Sequence, residues 1–292
     1  MSIFRAFLIS GLAGLSIIVF SVFFREESRE TIIFFPINES VKYKSANTGL
    51  AIREGNNSEA YIIEWDARSA LGQKAYLRQD VGLLFKNGKL IEKFGDWRQN
   101  TDNLKQARTL EGNDTAKYEG ITFHHSELHS LADKISSAQH MSSDFLYVIM
   151  APLSTMTSFR VPQTEEEEEW KLLLDKTISN QLEYGLSNFL KQLDLKPNQY
   201  TSLPLTDLPK YTDRPLPGLS LSDSKMTIGK LWEGLYKNYF HGIKKTNGTV
   251  ISPIGSTIPL LVFTLDKNVL YVLTRTSDGE TVILAQQIGG TN

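Results

Sequence analysis

The chain has 292 residues, with 31 Lys and Arg against 33 Asp and Glu, 41% hydrophobic residues and no cysteine. That near-neutral balance lacks the basic footprint that phosphate binding needs, which argues against a nucleic-acid partner. Without cysteine there is no disulfide framework, thiolate zinc site, iron–sulfur cluster or cysteine nucleophile, so stability rests on packing.

Ala6 to Phe24 runs 19 residues without a charge. At about 1.5 Å per residue the run spans about 28 Å, against a hydrocarbon core of about 30 Å. It predicts a single-pass transmembrane helix through which the chain holds to the lipid bilayer, with residues 1–30 as anchor and flanks. A cleaved signal fits less well, because the run ends Phe23-Phe24-Arg25-Glu26 with no A-x-A pattern. The positive-inside count sets Arg5 on one side against Arg25, Arg29, Lys42 and Lys44 on the other, which taken literally favours a cytoplasmic domain. A short tail with one Arg is the usual start of a signal anchor, however, and long domains cross largely regardless of charge. The expectation is an extracytoplasmic domain. The absent cysteine fits a bacterial exterior, and the Asn-x-Ser/Thr sequons at Asn38, Asn56, Asn113 and Asn247 are read as chance.

Beyond the anchor, Ile32 to Phe35 and Tyr61 to Trp65 read as strands. Asn87-Gly88 between apolar stretches predicts a hairpin over Leu83 to Phe94, because a type I′ turn needs positive φ at both central residues. Between Ser126 and His140, Leu128, Leu131, Ile135 and Ala138 recur at helical spacing and predict a helix, followed by a strand over Asp144 to Met150. Thr164 and Glu167 form a capping box ahead of apolar residues spaced three and four apart, which predicts a long amphipathic helix over about 165–194. The five glutamates Glu165 to Glu169 suit its positive end. Five prolines fall between Pro197 and Pro217, so 197–218 reads as an irregular connection between 31–196 and 219–292, parts that could also form one domain. Ser224 then caps a second helix ending near Gly242, and Pro259 to Ile288 reads as a three-strand meander. The fold class expected is α+β: antiparallel strands and hairpins with a long central amphipathic helix and a C-terminal meander.

The one constellation with a metal-site look is His124-His125-Ser126-Glu127-Leu128-His129. On a helix, His125 and His129 stand four apart on one face and could give two nitrogens to one zinc or another divalent ion, though a third ligand must come from elsewhere. The alternative is a polar strand-to-helix junction in which the histidines bond neighbouring backbone. Glu64 and Asp66 share one strand face; paired acids can serve glycoside hydrolysis, but the period of two already explains these as a solvent face. Ser222-Asp223-Ser224-Lys225 matches S-x-x-K, but the K-T-G and S-D-N companions fail. No Walker A loop, G-x-S-x-G elbow or G-x-G-x-x-G fingerprint is present. Trp232, Tyr236, Tyr239 and Phe240 form an aromatic stripe that could be a binding surface, with packing against the terminal meander as the default.

Ile121 to His129 with Asp144 to Ile149, and Leu231 to Tyr239, resemble segments of uncharacterised single-pass membrane proteins of Bacillus-like bacteria. The resemblance implies a bacterial membrane location and brings no activity, cofactor or site residue. The function expected is therefore a membrane-anchored, extracytoplasmic binding or assembly protein in an envelope or sensory role, with an envelope protein as partner, no predicted cofactor and more binding than enzymatic character. The alternative is a membrane-tethered metal-dependent hydrolase using His125 and His129.

Overall fold

The long second strand organises the fold, and its side chains show why. In the computed structural model, which describes residues 32–55, 60–130, 134–150, 156–245, 247–264 and 269–288, β1 (Tyr43–Glu54) and β2 (Tyr61–Lys86) begin a mixed α+β architecture in which antiparallel strands predominate. The first half of β2 alternates, with Tyr61, Ile63, Trp65, Ala67, Ser69 and Leu71 buried between more exposed neighbours. From Arg78 to Phe85 every residue is buried, because both faces of that half are covered. The anchor predicted over Ala6 to Phe24 lies outside the described residues. Among the described residues no helix is long and apolar enough to cross a membrane.

The hairpin from β2 into β3 (Lys89–Gly112) turns at Asn87 and Gly88, with φ of 49° and 77°, as the type I′ expectation requires. Next come β4 (Ala116–His129), β5 (Ile135–Ile149) and the short β6 (Thr157–Phe159). The strand order is β1-β2-β4-β5-β6, with β3 on the other edge of β2. The register between β2 and β3 slips between Ala70 and Ala75, and a slip of this kind bends and twists a strand pair. Past it the sheet curls on itself, so that Trp65 stacks on Phe94 with centroids 3.9 Å apart and Leu50, Leu84, Tyr118, Leu146 and Val148 pack in the same cluster. The curl brings β1 alongside β5.

Helix α1 (Glu165–Leu193) carries the expected capping box: Glu167 N donates to Thr164 Oγ1 at 3.2 Å and Thr164 N to Glu167 Oε2 at 3.3 Å, while Asp194 closes the other end at φ 51°. Helix α2 (Leu221–Phe240) is capped by Ser220, whose Oγ accepts from Asp223 N at 3.0 Å. That corrects the expectation for Ser224, which is buried in the first turn and accepts from Leu216 N at 2.7 Å. The proline-rich stretch is more ordered than its composition predicts. It holds β7 (Tyr200–Pro204) and a 3-10 helix over Leu205–Tyr211. The small strands β8 (Ile243–Lys244) and β9 (Val250–Ile251) pair after α2. The expected meander is β10 (Leu260–Thr264), β11 (Val269–Arg275) and β12 (Thr281–Gln287), and β7 adds a fourth strand by pairing with β10.

Alternation in β10 explains the layering. Leu261 and Phe263 meet Val81, Leu83, Phe123, Leu231 and Trp232, whereas Leu260 and Val262 meet Phe189 and Leu186 of α1. Each large apolar side chain buried there stabilises by about 1.5–3 kcal/mol. Ile32–Asn292 forms one compact unit.

Two further expectations fail. Ile32 to Phe35 is not a strand. The helix expected between Ser126 and His140 is instead the β4–β5 hairpin, in which Ser126 faces Ala138 and Leu128 faces Ser136. Leu128 and Ala138 join Leu71 and Ala75 in one small cluster, so a cross-strand contact produced the spacing that mimics a helix. Leu131 lies outside the described residues.

Candidate functional site

Because β4 is a strand, its side chains alternate between two environments. Ile121 and Phe123 face the layer that holds α2 and the second sheet. Thr122, His124 and Ser126 point the other way, toward β1 and β5. Here polar groups replace the apolar filling. Arg78 and Asp80 are fully buried, and Ser69 joins them: its hydroxyl accepts from Arg78 Nη2 and donates to Asp80 Oδ2 at 2.7 Å. His124, also fully buried, sets Nδ1 3.4 Å from Asp80 Oδ2, and its Nε2 is 2.7 Å from Ser142 Oγ. Ser142 shares a 2.7 Å hydrogen bond with Thr48, which donates to Thr122 Oγ1 at 2.8 Å. Tyr43 closes the group on another side, its hydroxyl 2.7 Å from Ser126 Oγ and its ring 5.5 Å below the Arg78 guanidinium. Burial, reinforced by the charge of Asp80, raises the Tyr43 pKa and keeps the phenol protonated.

Within this belt Arg78 Nε and Nη1, Asp80 Oδ1 and His124 Nδ1 have no hydrogen-bond partner among the described residues. Buried polar atoms are nearly always satisfied, and the belt gathers four unpartnered ones on three charged or titratable side chains, others lying apart, among them atoms of His125, Trp232 and Tyr239.

Tyr43 and His140 also line a cleft of about 400 Å³ between the segment preceding β1, the middle of β5 and α2. Lys42, Lys225, Glu39 and Asp213 complete its polar wall. Lys225 Nζ donates to Glu39 at 2.6 and 2.9 Å. Burial and the neighbouring His124 lower the pKa of His140, with Asp213 opposing them.

The residues singled out for metal binding are not brought together. Four residues along a strand separate His125 from His129 by about 13 Å, too far to share an ion, and the helix that would have joined them is absent. His125 is buried against Phe123, its two ring nitrogens lack partners among the described residues, and burial lowers its pKa from 6.5 to about 4. His129 packs against Tyr76 with the rings tilted and their centroids 4.1 Å apart, and lies 3.6 Å from Glu127. Among the described residues no three His, Asp or Glu side chains are grouped to hold a metal. Trp232, Tyr236 and Tyr239, expected as a binding surface, are buried, Trp232 stacking on Phe123 at 5.2 Å. They are core rather than surface. Glu64 and Asp66 pair with Arg53 at 2.8 Å and Arg68 at 2.6 Å.

Arg78, Asp80, Ser142 and Tyr43 escaped the sequence reading. A signal was available, since Arg78-Gln79-Asp80 interrupts a stretch that is apolar from Val81 onward. No family model, curated protein or solved structure matches this chain.

Proposed function

We propose that the chain is a membrane-tethered binding protein whose folded domain lies outside the cytoplasm and holds a small zwitterionic ligand in the cleft beside Tyr43 and His140. The observation that carries this reading is the cleft wall, where Lys42 and Lys225 stand with Glu39 and Asp213 around a volume of about 400 Å³. Pockets of about 300–1,000 Å³ with a few placed polar groups suit small molecules. Both signs of charge in one wall favour a ligand carrying both an ammonium and a carboxylate over a simple anion. The uncharged run from Ala6 to Phe24 supports the tether.

Thermal unfolding of the full chain in detergent, titrated with free amino acids and dipeptides, tests the binding. At least one member should raise the melting temperature in a concentration-dependent way, as a ligand selective for the native state must. Asp213→Ala should abolish that rise. A panel that leaves the melting temperature unchanged overturns the assignment. Protease treatment of intact cells tests the location: the domain should be digested, and full protection would place it on the cytoplasmic side.

A further inference from the structure

We propose that Ser142, His124 and Asp80 form a nucleophile, base and orienting acid that cleave small carboxylic esters at the seam between β1 and β5. The reading stands apart from the ligand of the cleft and rests on different atoms.

The three side chains stand in the order that an activated serine needs. The Ser142–His124 hydrogen bond is formed, and Asp80 is in contact with His124 Nδ1 but not hydrogen-bonded to it, as is common in unliganded catalytic sites before they tighten. His124 Nε2 is 2.7 Å from Ser142 Oγ, and His124 Nδ1 is 3.4 Å from Asp80 Oδ2. A carboxylate beside Nδ1 favours the proton there, which leaves Nε2 with a lone pair for the Ser142 proton. Thr48 has one hydroxyl hydrogen, and it can be donated to Thr122 Oγ1 or to Ser142 O, at 2.8 and 3.2 Å. Ser142 is then free to donate to His124. Exposure is graded in the useful order: Asp80 and His124 are fully buried, whereas Ser142 and Thr48 are partly exposed.

The seam supplies the remaining parts. Among the described residues β1 and β5 lie side by side without pairing as strands. Side chains bridge them instead: Leu50 N donates to Asp144 Oδ2 at 2.8 Å, and Leu50 O accepts from Arg160 Nη2 at 2.7 Å. The N–H and C=O of Leu50 therefore face the seam, and strand alternation turns those of Thr48 the same way. Ser142 O accepts from the Thr48 hydroxyl across the seam, so the Ser142 N–H shares that orientation. The backbone N–H groups of Thr48 and Ser142 thus face the seam, on the side from which an ester carbonyl oxygen would need donors.

In the step proposed, Ser142 Oγ bonds to the ester carbonyl carbon as its proton passes to His124 Nε2, and the carbonyl electron pair moves onto oxygen. Collapse of that intermediate breaks the bond to the alcohol oxygen, which takes the proton from His124 Nε2. Water then attacks the acyl-Ser142 by the same route, releasing the carboxylic acid and restoring the serine. No oxidant, reductant or metal enters the balance.

A fluorophosphonate probe tests this, because it phosphonylates only an activated serine and expels fluoride. The full chain in detergent should take up one equivalent, mapped to Ser142 by peptide mass, and urea-unfolded chain should take up none at that position. His124→Gln should slow labelling by at least about 100-fold, the usual worth of a general base. Absence of label on native Ser142, or equal labelling of native and unfolded chain, overturns the proposal, as does an undiminished rate in a folded His124→Gln chain.

Discussion

His125 gives the sharpest test of the packing. Its imidazole is fully buried beside Phe123, with neither ring nitrogen bonded among the described residues, and burial holds its pKa at about 4 against an ordinary 6.5, the charge of Asp80 opposing the shift. In the unfolded chain the ring takes up a proton as pH falls through about 6.5, whereas the native ring does so only near 4. The unfolded state therefore binds more protons across that window, and stability falls as pH falls. At about 1.36 kcal/mol per pH unit, the lowered value corresponds to about 3 kcal/mol lost between pH 7 and pH 4. His125→Leu keeps a similar volume and removes the titration. Urea unfolding followed by tryptophan fluorescence at pH 7 and pH 4 should show the variant losing about 3 kcal/mol less than the wild type. At pH 7 it should be the more stable chain by about 1–3 kcal/mol, because two unbonded buried nitrogens are gone. The lowered pKa of His140 and the raised pKa of Glu119 act equally in both chains and cancel in the comparison. Identical losses in the two proteins would refute the assigned burial.

Gly82→Ala places a Cβ 2.2 Å from Phe94 Cε2, and overpacking of this kind should cost about 1–3 kcal/mol, read as a lower urea midpoint. Thr164→Ala removes the acceptor for Glu167 N. It should cost about 1 kcal/mol and accelerate amide exchange in the first turn of α1. Asp144→Ala strips the partner from Leu50 N and the anchor from Arg160. A loss of about 1–3 kcal/mol is expected, with faster exchange at the Leu50 amide as the local readout.

The parts of the fold legible in the sequence are those specified by local chemistry. Asn87-Gly88 satisfies a backbone need that does not depend on the rest of the chain, and Thr164 with Glu167 closes a helix end within four residues. The C-terminal meander follows for the same reason. What depended on distant contacts was misread. Leu128 and Ala138 meet across a hairpin whose interior face carries His124 and Ser126, so polar residues occupy positions where an ordinary strand would show apolar ones. The period of two was hidden, and a helical period took its place. The same disguise moved attention to His125 and His129, which a helix would have paired and a strand sets apart, and away from His124. Tyr200 to Pro204 looked irregular because prolines crowd around it and Pro204 denies it a donor, yet one strand of that kind fits at the edge of a sheet beside β10.

The departures from an apolar interior that carry charge are gathered in one belt. Near Trp65, Phe94 and Leu146 the curled sheet is filled as a stable core should be, whereas beside Thr122 and Ser142 it holds a guanidinium, a carboxylate and an imidazole. Desolvating each ion costs several kcal/mol, and apolar residues of similar volume would often be as stable or more so. The belt therefore does not serve stability most directly. It is also incompletely bonded, at Arg78, Asp80 and His124, and it reaches the protein's edge where β1 and β5 are bridged by side chains rather than paired as strands. A network meant only to close the seam would place its charges at the seam, as Asp144 and Arg160 do. Setting Arg78 and Asp80 behind His124, with a partly exposed hydroxyl in front, is an arrangement that chemistry at Ser142 accounts for and closure alone does not.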